Sequence, residues 1–102
     1  MSNTQFLILL EPDAMDDIQS AIDFYDQKQV GLGKQFEKEL NDYFSSLEKA
    51  PYFTIRYDDV HCLPLKKFPF MIHYTIDNNE KILIIRAVFH TSLNPKKWKG
   101  AR

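Results

Sequence analysis

The sequence predicts an α+β domain of order β-α-α-β-β-β, a helical hairpin packed on a small, mostly antiparallel sheet, with residues 1–102 forming one domain. Three observations predict it. Apolar residues recur every three or four positions from Ala14 to Leu47, then every second position from Ile55 onward. Gly31-Leu32-Gly33 and Pro51 punctuate the chain, after the first helical run and after the second. Charge divides along the same line: residues 1–50 hold four Lys/Arg against ten Asp/Glu, and residues 51–102 hold nine against four. A cationic, strand-bearing half is set against an anionic, helical half, and a basic face concentrates anions such as nucleic-acid phosphate.

The first element is the wholly apolar run Phe6-Leu7-Ile8-Leu9-Leu10, which suits a short strand buried on both faces. Glu11-Pro12-Asp13 then starts a helix, with Pro12 fitting its first position and Asp13, Asp16 and Asp17 placed where the helix dipole favours negative charge. Ala14, Ile18, Ala21, Ile22 and Tyr25 form its apolar face, and the helix should end before Gly31. A second helix carries the stripe Leu32, Phe36, Leu40, Tyr43, Phe44 and Leu47. Pro51 stops it, because a residue before proline avoids helical geometry. So short a link implies an antiparallel helical hairpin.

Residues 57–65 read as a strand that Pro64 ends or confines to an edge. Phe68, Phe70, Ile72, Tyr74 and Ile76 alternate with Lys67, Met71, His73, Thr75 and Asp77, giving a half-buried strand. Asp77-Asn78-Asn79-Glu80 is a tight turn, with Asn tolerating the left-handed conformation. Residues 81–89 form the strongest strand, with Leu83, Ile85, Ala87 and Phe89 on one face and Ile84, Arg86, Val88 and His90 on the other. A polar tail follows.

Composition narrows the function. With 44% apolar and 14% aromatic residues the chain builds a core, which excludes a disordered segment. No run approaches the ~20 apolar residues of a membrane helix, and the opening apolar run lacks the basic flank of a signal peptide. A single cysteine, Cys62, excludes an internal disulfide and fits a reducing cytoplasm. His61, His73 and His90 have no metal-ligand spacing, so neither metal nor cofactor is expected. The Gly31-Leu32-Gly33 segment follows a helix, unlike a phosphate loop, which follows a strand. Asp16-Asp17 and Asp58-Asp59 read as a helix start and a solvated turn.

The basic residues of the second half are the candidates for chemistry. Arg86 sits inside an apolar strand, so it needs a partner or a wet face. Either it pairs with a helix carboxylate such as Asp17, Asp23 or Glu37, or it contacts a phosphate or a target. His73 and His90 are candidate proton donors alongside it, or half-exposed strand residues without a role. Lys66, Lys67, Arg86, His90, Lys96, Lys97 and Trp98 make up the candidate target- or nucleic-acid-binding set, with Trp98 either a stacking platform or a packed lid.

Together, Lys67-Phe68-Pro69-Phe70-Met71-Ile72-His73-Tyr74, Ile84-Ile85-Arg86-Ala87-Val88-Phe89-His90, Asn94-Pro95 and Trp98 resemble the RelE/ParE superfamily of bacterial toxins. Upstream, Asp17-Ile18, Ala21, Phe24-Tyr25, Gly31-Leu32-Gly33, Phe36 and Leu40 are similar to the helical hairpin of the same superfamily, so the likeness runs from about Phe6 to Trp98. The resemblance implies the cytoplasmic toxin of a type II toxin–antitoxin, or plasmid stabilisation, system. Its cognate antitoxin folds across the helical hairpin and sheet edge in a hetero-oligomer, with Phe24 and Val30 as anchor sites.

The resemblance leaves the target open. RelE-like members cut messenger RNA on the ribosome without a metal, through basic residues and a tyrosine. Such a reading makes Lys66, Lys67, Arg86, His73, His90 and Lys97 the phosphate and proton handlers. Met71 and Thr91 stand where the RNA-cutting members commonly have basic residues. ParE-like members act on DNA gyrase and need no nuclease centre, and the Phe-Pro-Phe and His-Thr-Ser-Leu-Asn-Pro segments are closer to that branch. A third reading is a degenerate toxin that keeps only antitoxin binding.

Overall fold

The computed structural model describes residues 5–51, 55–57 and 59–91. Its elements run β1 (Leu7–Leu10), α1 (Pro12–Lys28), α2 (Leu32–Lys49), β2 (Ile55–Tyr57), β3 (Val60–Pro64), β4 (Phe70–Asp77) and β5 (Ile82–His90). The five strands form one sheet in the order β1-β5-β4-β3-β2. β1 runs parallel to β5 and all other pairs are antiparallel. This is the α+β layout expected, with one departure in the strand order. Residues 57–65 are not one strand: the chain turns at Asp59, and β2 and β3 pair as a hairpin. Pro64 closes β3 opposite Met71, beyond the reach of β2, where its missing N–H costs no ladder bond.

The helices form where the sequence places them. Pro12 occupies the first turn of α1 with Asp13 beside it, and Lys28 lies in the last turn, each complementing the helix dipole. Gly31 adopts φ +88°, a left-handed conformation that favours glycine, and α2 starts at the next residue. Gly33 is needed for a different reason. A Cβ there would lie 2.7 Å from the carbonyl oxygen of Ile22, so the two helices approach through a bare backbone.

Both helices cover one face of the sheet. Ala14, Ala21 and Tyr25 of α1, and Phe36, Leu40 and Leu47 of α2, bury against Ile72, Tyr74, Leu83 and Ile85. Tyr25, Phe36, Phe68 and Phe70 interlock with ring centroids 4.9 to 6.0 Å apart. Tyr74 carries its hydroxyl into this core and donates to the Pro51 carbonyl at 2.7 Å.

Three local expectations are corrected. β1 is covered on one face only: Ile8 and Leu10 pack against the core, whereas Leu7 and Leu9 on the other face lie 58% and 44% exposed instead of buried. In the β4–β5 turn the left-handed residue is Lys81, at φ 58°, and not an asparagine. Asp77 Oδ1 instead holds the turn by accepting the Asn79 and Glu80 N–H groups. The third correction changes which side chains share a face. His73 pairs with Ala87 and Tyr74 with Ile85, leaving Arg86 as the extra residue of a β-bulge. The strict alternation expected for residues 81–89 therefore breaks. Leu83, Ile85 and Val88 face the helices opposite Ile76, Tyr74 and Ile72, while Ala87 and Phe89 lie on the other side opposite His73 and Met71.

Candidate functional site

The cationic residues fall into separate surroundings. Arg86, projecting from the bulge, donates from Nη1 to Glu11 Oε2 at 2.7 Å and from Nε to the Thr75 hydroxyl at 3.0 Å. Its partner is thus a carboxylate, but neither Asp17, Asp23 nor Glu37. Glu11 precedes α1, and its own N–H donates to the Ile85 carbonyl, which carries its side chain alongside the bulge. Arginine and glutamate are each 38% exposed, so the pair is wet on one side.

Asp17 has another role at the same place. Its Oδ2 accepts the backbone N–H of Val88 at 3.1 Å. Beyond Ile85, β5 has no β1 residue beside it, and this carboxylate takes the acceptor position a neighbouring strand would fill.

The histidines are not equivalent. His73 is 1% exposed, and its Nδ1 lies 3.7 Å from Cys62 Sγ across the β3–β4 pair. Burial pushes the Cys62 thiol up to about 11, so the pair holds a protonated thiol at neutral pH and lacks an activated thiolate. His61 is also buried, stacked on Tyr74 at 5.2 Å. His90 is half-buried at the end of β5 and meets the Phe70 ring edge-on at 5.2 Å.

On the sheet face away from the helices, two cross-strand rows follow from the register. Cys62, His73 and Ala87 form one; Pro64, Met71 and Phe89 form the other. Neither row contains a lysine or arginine. The first row is buried, with Cys62, His73 and Ala87 at most 4% exposed, and on the same side Thr75, next along β4, holds Arg86.

Lys66 and Lys67 lie elsewhere, in the link between β3 and β4. Both side chains are exposed and make no ion pair among the described residues. Their backbone N–H groups both donate to Glu39 Oε2, each at 3.0 Å, which ties the link to α2. The second oxygen of Glu39 is buried and accepts no hydrogen bond among the described residues. Together these elements border a groove of about 690 Å³ lined by Leu32, Tyr43 and Phe68 among others.

Phe24 and Val30 are 49% and 94% exposed. Phe24 borders a shallower depression of about 390 Å³ between α1 and the end of β5, formed with Ser20, Val88, Phe89 and His90. Lys96, Lys97 and Trp98 lie outside the described residues. Of the expected site residues, the structure therefore brings Lys66 together with Lys67. It sets Arg86, His73 and His90 in three different environments. Glu11 and Glu39, which hold Arg86 and the β3–β4 link, are two carboxylates among many in the acidic half, and no local sequence pattern distinguishes them. Among the described residues no three His, Cys, Asp or Glu side chains gather into a metal site, and no helix is long and apolar enough to cross a membrane.

Comparison with known proteins adds a family. Residues 8–95 match the family described as ParE toxin of type II toxin-antitoxin system, parDE. No curated protein matches the chain in sequence. Among solved structures, the chromosomal ParDE toxin–antitoxin system of P. aeruginosa aligns with TM-score 0.76 at 13% identity, covering 88% of this chain and 100% of that one. The isolated E. coli RelE toxin aligns with TM-score 0.66 at 10% identity, covering 94% of this chain and 95% of that one. The intact E. coli RelBE toxin–antitoxin complex aligns with TM-score 0.67 at 11% identity, covering 86% and 99%.

Proposed function

The chain belongs to the ParE toxin family of type II toxin–antitoxin systems, and we propose that it arrests growth by binding DNA gyrase, without cutting nucleic acid itself. The observation that carries this reading is the state of the groups a nuclease would use on the sheet face away from the helices: the row Cys62, His73 and Ala87 is buried, and Arg86 is taken up by Glu11 and Thr75. Cleavage of RNA without a metal needs cations fixed around the reacting phosphate and an acid–base pair in reach of it. Here Arg86 is held by Glu11, His73 is buried, and the thiol beside it is protonated. A toxin that works by binding needs only a charged contact surface, which Lys66, Lys67 and His90, with Lys96, Lys97 and Trp98, would provide.

The partner that neutralises it is a cognate antitoxin, and the resemblance to ParDE and RelBE complexes supports that assignment. Phe24, beside the depression at the end of β5, and the strongly exposed Val30 are the apolar anchors for it. The exposed Lys66-Lys67 pair also suits a second reading, a ribosome-dependent messenger ribonuclease, in which the two lysines approach the RNA backbone.

Two assays separate the readings. Purified protein is added to a gyrase supercoiling reaction and, separately, to translating ribosomes with an mRNA cleavage readout. Inhibited supercoiling with intact mRNA is the expected result. Cut mRNA with normal supercoiling replaces it with the ribonuclease reading, and silence in both leaves a protein that only binds its antitoxin.

A further inference from the structure

We propose that the groove between α2 and the β3–β4 link is a docking site for a short acidic peptide segment that carries an apolar side chain. This rests on the reading that Lys66 and Lys67 are contact residues, and it names what they contact. The groove has the two features such a segment needs. Its apolar lining comes from Leu32 and Tyr43, both half-buried, and from Phe68 beneath them. One rim carries the Lys66 and Lys67 ammonium groups, which have no carboxylate partner among the described residues.

Glu39 sharpens the site in an indirect way. By accepting both backbone N–H groups of the link, it fixes where the two lysines leave the backbone, so less chain entropy is lost when they take a ligand. Its own charge faces the peptide N–H groups at 3.0 Å, which leaves the lysine side chains to an outside anion. Lys38, on the opposite wall, is engaged with Asp42 at 3.3 Å.

Charge also argues for a peptide over a nucleic acid. The lining holds Lys38, Lys66 and Lys67 against Glu39 and Asp42, an excess of one positive charge. A continuous phosphate backbone running along this wall of α2 would pass the exposed carboxylate of Asp42, whereas a short segment can stop at the two lysines. A segment with two carboxylates and one aliphatic or aromatic side chain matches two free lysines above an apolar floor.

The test uses the full-length protein and fluorescence anisotropy with three probes: a labelled peptide with a Glu-Glu-Leu-Phe core, its Gln-Gln-Leu-Phe counterpart, and a labelled single-stranded oligonucleotide. The acidic peptide should bind, weaken with added salt, and lose about tenfold or more in affinity when Lys66 and Lys67 are both changed to Glu. The Gln-Gln peptide should bind about as weakly as the acidic peptide binds that variant. Tyr43→Ser supplies a second readout, weakening both peptides through the apolar floor. Acidic-peptide binding untouched by the charge reversal, or an oligonucleotide that binds more tightly than the peptide, overturns the proposal. Gyrase inhibition without peptide binding overturns the docking site alone and leaves the toxin's target standing. Peptide binding lost on charge reversal supports the docking site even where supercoiling is unaffected.

Discussion

Asp17 Oδ2 accepts the backbone N–H of Val88 at 3.1 Å, joining two residues 71 positions apart in the chain. A helix carboxylate here completes the hydrogen bonding of a strand whose parallel neighbour has already ended at Leu10. Asp17→Leu removes the acceptor and leaves a part-buried N–H without one, a loss of about 1–3 kcal/mol. Asp17→Asn keeps an acceptor oxygen and should lose less than half as much. Urea unfolding of the two variants measures both, and equal losses would assign the effect to the carboxylate's charge.

The Arg86–Glu11 contact at 2.7 Å is short but 38% exposed on each side, so water and salt screen it. A double-mutant cycle with Arg86→Met and Glu11→Gln should give a coupling of about 1 kcal/mol that shrinks in high salt. A larger coupling, insensitive to salt, would mean that the pair acts as a buried one.

Gly33→Ala should destabilise more than Gly31→Ala, although only Gly31 has a positive φ. The new methyl at Gly33 meets the Ile22 carbonyl oxygen at 2.7 Å and the Asp26 carboxylate at 2.6 Å, and the first of these is backbone that cannot rotate away. Overpacking of this kind costs about 1–3 kcal/mol. At Gly31 nothing lies within 4 Å, so only the left-handed backbone matters, at about 1 kcal/mol. Thermal unfolding of the two variants gives the order directly.

Cys62 makes a prediction about pH. Its folded value of about 11 lies above the ordinary 9.0, so the unfolded chain loses this proton first. The protonated thiol's contribution is complete below pH 9 and is lost as pH rises towards about 11. Wild-type stability should therefore fall across that window more steeply than that of Cys62→Ala. Alkylation by iodoacetamide at neutral pH should be slow until denaturant is added.

Val30→Glu should change stability by no more than about 0.5 kcal/mol because its side chain is in solvent, while Phe24→Glu, which gives up the edge contact with Tyr25, should cost about 1 kcal/mol. In a pull-down with the antitoxin, the same variants should bind less. Undiminished binding would move the antitoxin contact away from this end of α1.

Periodicity made most of this fold legible. The stripes Ala14–Ala21–Tyr25 and Phe36–Leu40–Leu47, with glycines and a proline at their ends, leave little choice of helix or of buried face. Ile72 and Tyr74 were equally clear. What failed was whatever depends on neighbours distant in sequence. A run of five apolar residues looks the same whether one face of its strand is covered or both, so the exposure of Leu7 and Leu9 could not be read from it. The bulge at Arg86 carries no local mark and shifts Val88 and Ala87 to opposite faces from those the alternation gave. At the candidate site, Lys66 and Lys67 were visible as a pair, whereas Glu39 and Glu11 reach their partners 27 and 75 positions away.

The pairing of β1 with β5 has a consequence in time. The first strand finds its partner, residues 82 to 85, only in β5, some 75 positions later. During synthesis, Leu7–Leu10 must wait through two helices and three strands before its ladder can close, a long-range step that is slow to form. A nascent chain halted before Ile82 lacks both the strand that α1 rests on and the bulge that holds Arg86. The order of assembly thus leaves the helix–sheet contact of α1 and the Arg86–Glu11 pair unmade until the residues of β5 have been added.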